Sequence, residues 1–312
     1  MPAAVPEPSA PGRWGRWRDS DLWHSFRHSP LAMVAAAIAL LCLAGALGAP
    51  WLAPHNPLDL STLELGDARL PPAWAEGGQA RYLFGTDDQG RDMLSALMYG
   101  TRISLFVGLT SVGLSMLLGV SLGLLAGFAG GLVDAMIMRV CDVMLSFPAI
   151  LLALLVDGVG RAVFPGAHEA LAFVVLIAAI SLTGWVQYAR VVRGSTRVER
   201  QKDYVQAARV IGVPPWRIMR RHVLPNVMGP VLVLATVQVA TAILTEATLS
   251  FLGVGVPPTA PSLGTLIRVG NDFLFSGEWW ITVFPGLVLV LIALSVNLLG
   301  DWLRDALNPR LR

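Results

Sequence analysis

Asp203-Tyr204-Val205-Gln206-Ala207-Ala208-Arg209-Val210-Ile211-Gly212, followed by Val213-Pro214-Pro215, is the most informative stretch of this 312-residue chain. Asp203 is a good helix N-cap, and Gln206 three residues on completes a capping box. Gly212 suits the left-handed position after a helix, and Pro214-Pro215 prevent continuation. The stretch predicts a short helix on which Tyr204, Ala207, Ala208 and Ile211 share one face. A second helix is expected over about Trp216 to Val223, with Arg217, Arg220 and Arg221 on one side. Leu224-Pro225-Asn226 should break it before the next apolar run. A short exposed helix needs something to bury its apolar face. That is either a groove on a partner, which the small Ala207 and Ala208 would admit, or the chain's own body, with the helix as a lid.

The basic connection that holds this stretch lies between two apolar runs. The chain is 54% hydrophobic and 14% charged, with a mean hydropathy of +0.62. A soluble domain carries about a quarter charged residues, so the composition excludes disorder and a disulfide scaffold and indicates a membrane protein. Six runs are long enough for a bilayer core of about 30 Å: 31–53, 103–129, 136–156, 170–188, 229–252 and 281–303. The first resembles a signal peptide at Ala44-Gly45-Ala46, but its length and the 30-residue tail before it favour an uncleaved anchor. The connection after the fourth run holds nine basic residues, Arg190, Arg193, Arg197, Arg200, Lys202, Arg209, Arg217, Arg220 and Arg221. The N-terminal tail holds four and the C-terminal tail three, whereas 54–102, 157–169 and 253–280 hold six together. The basic side is expected to be cytoplasmic, with both termini inside. Trp51, Trp279 and Trp280 lie near span ends, where amphipathic rings prefer the interface.

Other segments narrow the reading. Gln206-Ala207-Ala208, Gly212 four positions later and Leu224-Pro225 resemble the E-A-A-x-x-x-G loop of ABC-importer permeases, with Gln206 in place of the usual Glu and His222 where many have Ile. Phe84-Gly85-Thr86-Asp87-Asp88-Gln89-Gly90-Arg91-Asp92, Leu249-Ser250-Phe251-Leu252-Gly253-Val254-Gly255 with Pro257-Pro258, and Asn297-Leu298-Leu299-Gly300-Asp301 with Arg304-Asp305-Ala306-Leu307 are similar to the C-type permease of the dipeptide/oligopeptide/nickel importer family. The resemblance covers nearly everything after about residue 80; the tail before residue 30 and Arg161–Glu169 match nothing in it.

The resemblance implies an all-α polytopic membrane protein of six transmembrane helices with the type I ABC-importer permease fold. It implies a cytoplasmic tail (1–30), a first helix (31–53), a periplasmic loop (54–102), a five-helix core (103–303) with a cytoplasmic coupling loop at 189–228, and a cytoplasmic tail (304–312). Coupling to an ATPase falls by position to Asp203, Tyr204, Gln206, Ala207, Ala208, Gly212, Leu224 and Pro225. The implied partners are a homologous B-type permease, two ATPase subunits or one fused ATPase, and a periplasmic or lipid-anchored solute-binding protein, in a bacterial inner membrane. ATP and Mg would be held by the ATPases. The implied cargo is di- or oligopeptides, although the same family includes transporters of nickel, glutathione and other solutes. Arg217, Arg220 and Arg221 could contact the ATPase or anionic lipid headgroups.

The residues themselves agree with a chain that borrows its chemistry. The 23 basic residues include one Lys, Lys202, between Gln201 and Asp203, so no Walker A motif is present. None of the five His forms H-E-x-x-H or lies in a span, and there is no G-x-S-x-G elbow. Cys42 and Cys141 sit in apolar runs and suggest no metal site. Charge gives no nucleic-acid signal at a net +2. No catalytic or metal-binding residue is expected. A self-contained secondary transporter or channel is the alternative; it would need repeats with broken helices.

Polar residues within the spans carry further expectations. Ser111, Ser115, Gly119, Gly123 and Gly127 form a small-residue stripe suited to close helix packing. Gln238, Thr241, Thr245 and Glu246 are candidates for a translocation path, with Thr248 on the same polar face. The competing reading puts Glu246 near the outer interface, within reach of water or Arg268. Arg139 and Asp142 are spaced to pair on one helix, and Asn297 and Asp301 suit packing and capping. Asp87, Asp88 and Arg91 could meet the binding protein or form a turn around Gly85 and Gly90. His168-Glu169 reads as solvated outer loop.

Overall fold

The computed structural model describes residues 21–59, 65–163, 168–257 and 260–306. The expected tails therefore lie outside the described residues over 1–20 and 307–312, as do 60–64 of the outer loop, 164–167 and 258–259. Among the described residues every regular element is helical, apart from one isolated bridge between Thr86 and Asp92. The helices are α1 (Asp21–Arg27), α2 (Pro30–Leu52), α3 (Met93–Ala129), α4 (Gly131–Ser146), α5 (Ala149–Val163), α6 (His168–Glu199), α7 (Asp203–Val210), α8 (Pro215–Ile218), α9 (Leu224–Phe251), α10 (Leu263–Phe273) and α11 (Trp280–Ala306).

Among the described residues five helical runs are long and apolar enough to cross a membrane, or six if the bent pair α4–α5 counts as one broken span. The third run is not the straight helix expected over Met136–Val156: α4 and α5 meet at 94°. Pro148 is the cause. It lacks an N–H and forces the residue before it out of helical geometry, and Phe147 is extended at φ −101°, ψ 139°. The second span begins before the expected Ile103 because Asp92 caps it, accepting from the Ser95 amide at 2.9 Å and the Ser95 hydroxyl at 2.5 Å. The fourth runs on past Tyr188 to Glu199, and His168-Glu169 open that helix rather than lying in a loop.

The small-residue stripe sets the centre of the bundle. α3 packs on α6 along most of its length. A Cβ built on Gly119 would lie 2.4 Å from the Trp185 carbonyl, and one on Gly127 2.7 Å from Thr196 Cβ. Ser115 and Ser181 continue the seam, the Ser115 hydroxyl donating to the Ser181 carbonyl and the Ser181 hydroxyl to that of Ser111, each at 3.2 Å. α9 packs on α3, α6 and α11, and α2 closes against α3 and α11.

Residues 69–92 fold onto the bundle as a set of turns. Asp87 accepts from the amides of Gln89 and Arg91 at 2.9 Å and pairs with the Arg91 guanidinium at 2.5 Å, both side chains buried. With Gly85 and Gly90 both at positive φ, this is the capped turn, and Asp87 and Arg91 are consumed within it. Trp280 is not an interfacial ring. It is buried, and its indole N–H donates to the Thr86 carbonyl at 3.0 Å, pinning the turn to the start of α11.

Candidate functional site

The loop helix α7 forms where the sequence indicated, with a different start. Its N-cap is Lys202, Asp203 is already helical, and no side-chain cap bond is made. The Asp203–Gln206 capping box is therefore absent. The Gln206 amide nitrogen instead donates to the Arg200 carbonyl at 3.0 Å, a bond that an ionised Glu, an acceptor only, could not make. The helix ends as expected. Gly212 sits at φ +85°, its amide bonds to the Arg209 carbonyl, and the Val213 amide to that of Ala208, both at 3.0 Å. These two bonds are the Schellman pattern, which favours glycine at this residue.

Burial divides the helix differently from the expected face. Val205 and Ala208 point into the chain's own core, whereas Tyr204, Ala207 and Ile211 are exposed. Both sequence alternatives are thus half realised: one side rests on the membrane body and the other is uncovered. At its tip Val210 is 89% and Ile211 80% exposed, with Trp216 beyond the turn also exposed. Arg217, Arg220 and Arg221 are exposed around this tip.

Tyr204 ties the helix to both neighbouring spans. Its hydroxyl donates to the Glu199 carboxylate at the end of α6, and the Asn226 side-chain amide on α9 donates to it at 3.0 Å. Burial of the hydroxyl, reinforced by the Glu199 carboxylate, raises the Tyr204 pKa above its ordinary value, so it stays a donor. Leu224-Pro225 does not break the chain before the fifth span. Pro225 stands in the first turn of α9, and a π turn over Met219–Val223 joins α8 to α9, the Leu224 amide bonding to the Met219 carbonyl. The i→i−5 register carries the helix through the proline.

The basic residues of the loop are largely engaged. Arg190 donates to Asp142 at 2.5 Å, so Asp142 pairs with α6 and not with Arg139 on its own helix. Arg193 and Arg197 both pair with Asp134 on α4. Arg200 donates to the Gly127 and Phe128 carbonyls at 3.2 and 2.9 Å, satisfying acceptors that the end of α3 leaves open. Lys202 pairs with Glu199 at 2.8 Å, and Arg209 lies 5.1 Å from the Phe128 ring centre. Residues that sequence reasoning missed, Glu199, Arg200 and Asn226, all act across contacts that only the fold creates.

Within the spans, Gln238, Thr241 and Thr245 line one cavity of about 190 Å³ together with Ser115, Thr183, Gln187 and Tyr188. Leu145 and Ala149, on either side of the α4–α5 break, close its rim. Non-helical backbone at membrane depth is tolerated beside such a cavity. Glu246 lies elsewhere. It is 0% exposed, accepts from the Ser104 hydroxyl at 2.6 Å and the Ser250 hydroxyl at 2.8 Å, and makes no ion pair with Arg268. Ser104 also receives the Leu263 amide at 3.4 Å. Glu246 is thus a knot between α3, α9 and α10, satisfied by hydroxyls, and does not line that cavity.

Residues 119–312 match the family model described as binding-protein-dependent transport system inner membrane component. Residues 15–72 match the N-terminal TM domain of oligopeptide transport permease C. The chain is 42% identical over 293 residues to the di/tripeptide transport system permease protein DppC of Pseudomonas aeruginosa, covering 94% of this chain and 92% of that one. It is 44% identical over 293 residues to the dipeptide transport system permease protein DppC of Escherichia coli K12, covering 94% and 93%. Among solved structures it is similar to a chain of the MetNI methionine ABC transporter in an inward-facing conformation. The TM-score there is 0.55 at 18% identity, over 69% of this chain and 98% of that one.

Proposed function

This chain belongs to the family of inner-membrane components of binding-protein-dependent transport systems, and from that premise we propose that its cargo is di- or oligopeptides. It is a permease subunit of an ABC importer. The peptide reading is supported by relatives named for di- and tripeptide transport at 42–44% identity over nearly the whole chain. In this reading a B-type permease completes the path, a solute-binding protein delivers peptide from outside, and two ATPase subunits, or one fused ATPase, hold ATP and Mg below. Both termini face the cytoplasm, on the side where the basic connections lie.

The observation that carries the mechanism is the uncovered tip of α7. Val210 and Ile211 are large, apolar and almost fully exposed at the end of a helix whose other face and base are fixed by Val205, Ala208 and Tyr204. Such a knob suits a groove on the ATPase. Closure of the ATPase pair displaces α7, and Asp203, Tyr204, Gln206, Ala207, Ala208 and Gly212 pass the displacement to α6 and, through Leu224-Pro225, to α9. Gln238, Thr241 and Thr245 then belong to the path, as the polar wall of the cavity beside the α4–α5 break.

The test is purification of the tagged chain in mild detergent, with mass spectrometry of stoichiometric partners and an ATPase assay. A second permease and Walker-motif ATPases should co-purify, and Ile211→Asp should release the ATPases while leaving the permease pair intact. A chain that stays alone and moves solute in liposomes would overturn the reading.

A further inference from the structure

A second and larger cavity, of about 420 Å³, opens at the end of the bundle that carries residues 69–92. Its volume lies in the range of small-ligand sites, about 300–1,000 Å³. Two guanidiniums meet in its wall. Arg161 on α5 pairs with Asp157 at 2.6 Å and reaches the Gly253 carbonyl with Nη2 at 3.4 Å. Arg268 on α10 lies across the same residue, since a Cβ built on Gly253 would fall 2.2 Å from its Nη1. Gly253 has φ +80°, so the turn after α9 both requires glycine and, by lacking a side chain, makes room for the second cation.

Like charges brought together in this way disfavour each other unless an anion joins them. Asp157 serves Arg161; Arg268 is exposed, solvated and free of any hydrogen bond or ion pair among the described residues, and so is available to a ligand. Asp88 also lines the cavity, half-buried, with its Oδ1 buried and without a hydrogen-bond partner. Burial and the adjacent Asp87 raise its pKa, and Arg91 is the cation it feels. Asp88 and Arg268 are not within ion-pair distance of each other.

We infer that this cavity is a receiving site for a free peptide on its way into the path, with the terminal carboxylate on Arg268 and Arg161 and the terminal ammonium toward Asp88. The inference rests on peptides being the cargo. It adds a selection step on the permease itself, for a free carboxyl terminus, beyond whatever the binding protein selects.

The assay is uptake by proteoliposomes holding the whole importer, with its binding protein, of one radiolabelled dipeptide as the free acid and as the C-terminal amide. The ratio of acid to amide uptake is compared between wild type and Arg268→Gln. Selection by the binding protein is common to both and cancels. Arg268 makes no hydrogen bond or ion pair among the described residues, so the substitution should leave folding intact, which complex yield and thermal unfolding verify. The ratio should fall by about tenfold, as for loss of one charge-assisted hydrogen bond, with Arg268→Lys restoring part of it. A fall in acid and amide uptake by the same factor would assign Arg268 to an acidic side chain of the binding protein and overturn the inference. An unchanged ratio with normal uptake overturns this site alone, and a wild-type importer that moves neither form overturns the peptide reading and the site with it.

Discussion

Replacing Gly123 by alanine adds one methyl group where α6 leaves no room for it. The new Cβ would stand 2.5 Å from the Ala189 carbonyl oxygen, 2.9 Å from Ala189 Cα and 3.0 Å from Val192 Cβ. None of these atoms lies at the end of a flexible side chain, so relief requires the two helices to move apart by about 1 Å to reach ordinary contact distances of 3.5–4.0 Å. Overpacking of this kind costs about 1–3 kcal/mol. Alanine also gains about 1 kcal/mol of helix propensity over glycine, and that gain must be removed from the comparison. Gly113 supplies the control: it lies on the same helix, and a Cβ there meets nothing within 4 Å. Both substitutions share the propensity gain, so the difference between them isolates the clash. Gly123→Ala should be less stable than Gly113→Ala by about 1–3 kcal/mol, read from equilibrium unfolding in mixed micelles titrated with dodecyl sulfate. Equal stability of the two variants would refute the close α3–α6 seam. A partnerless methyl at Gly113 that proved the more harmful would refute the reasoning from space altogether.

Tyr204→Phe removes the hydroxyl that links α6 and α9 through the loop. It should cost about 1–2 kcal/mol and, more tellingly, raise basal ATPase activity relative to peptide uptake in the reconstituted importer. Glu246→Gln keeps an acceptor oxygen for the serine hydroxyls and should fold normally, whereas Glu246→Ala strands Ser104 and Ser250 and should lower stability by about 1–3 kcal/mol in a thermal-unfolding assay. Gln206→Glu cannot donate to the Arg200 carbonyl, so amide exchange across Val205–Ile211 should speed up by several-fold, for a bond of about 1 kcal/mol. Protection unchanged in that variant would show that the bond contributes nothing to holding the loop.

Much of the architecture is written in local features of the sequence. Apolar length indicated the spans, and Gly212 with Pro214-Pro215 marked the end of α7. The four-residue spacing from Ser111 to Gly127 marked the seam, because small residues on one helix face have one main use between membrane helices. What escaped notice depends on residues far apart. Asp142 finds Arg190 across 48 positions rather than Arg139 beside it. Glu246 finds Ser104 across 142 positions, and a carboxylate read alone cannot announce that hydroxyls will surround it. Trp280 is buried because residues 69–92 fold over it, which hydropathy near a span end does not register. The break at Pro148 was present in the sequence but is invisible to an apolar-length criterion, since proline is apolar and its effect is on the dihedral of Phe147. The shift of the N-cap from Asp203 to Lys202 is a matter of one residue, and it redirected Gln206 to a different partner.

The helical run from Pro215 to Phe251 is 37 residues long, about 55 Å at 1.5 Å per residue. The π turn carries the helical run past Pro225, while Pro230 removes one further amide donor within it. A tilt of about 3° around its midpoint would swing each end by about 1.4 Å, given that length. One end begins at the turn that follows α7, and the other ends two residues before Gly253, over which Arg161 and Arg268 converge. A see-saw of that size is enough to make or break a hydrogen bond at the far end. In the proposed mechanism this one helical run joins the turn after α7 to the Gly253 turn between Arg161 and Arg268.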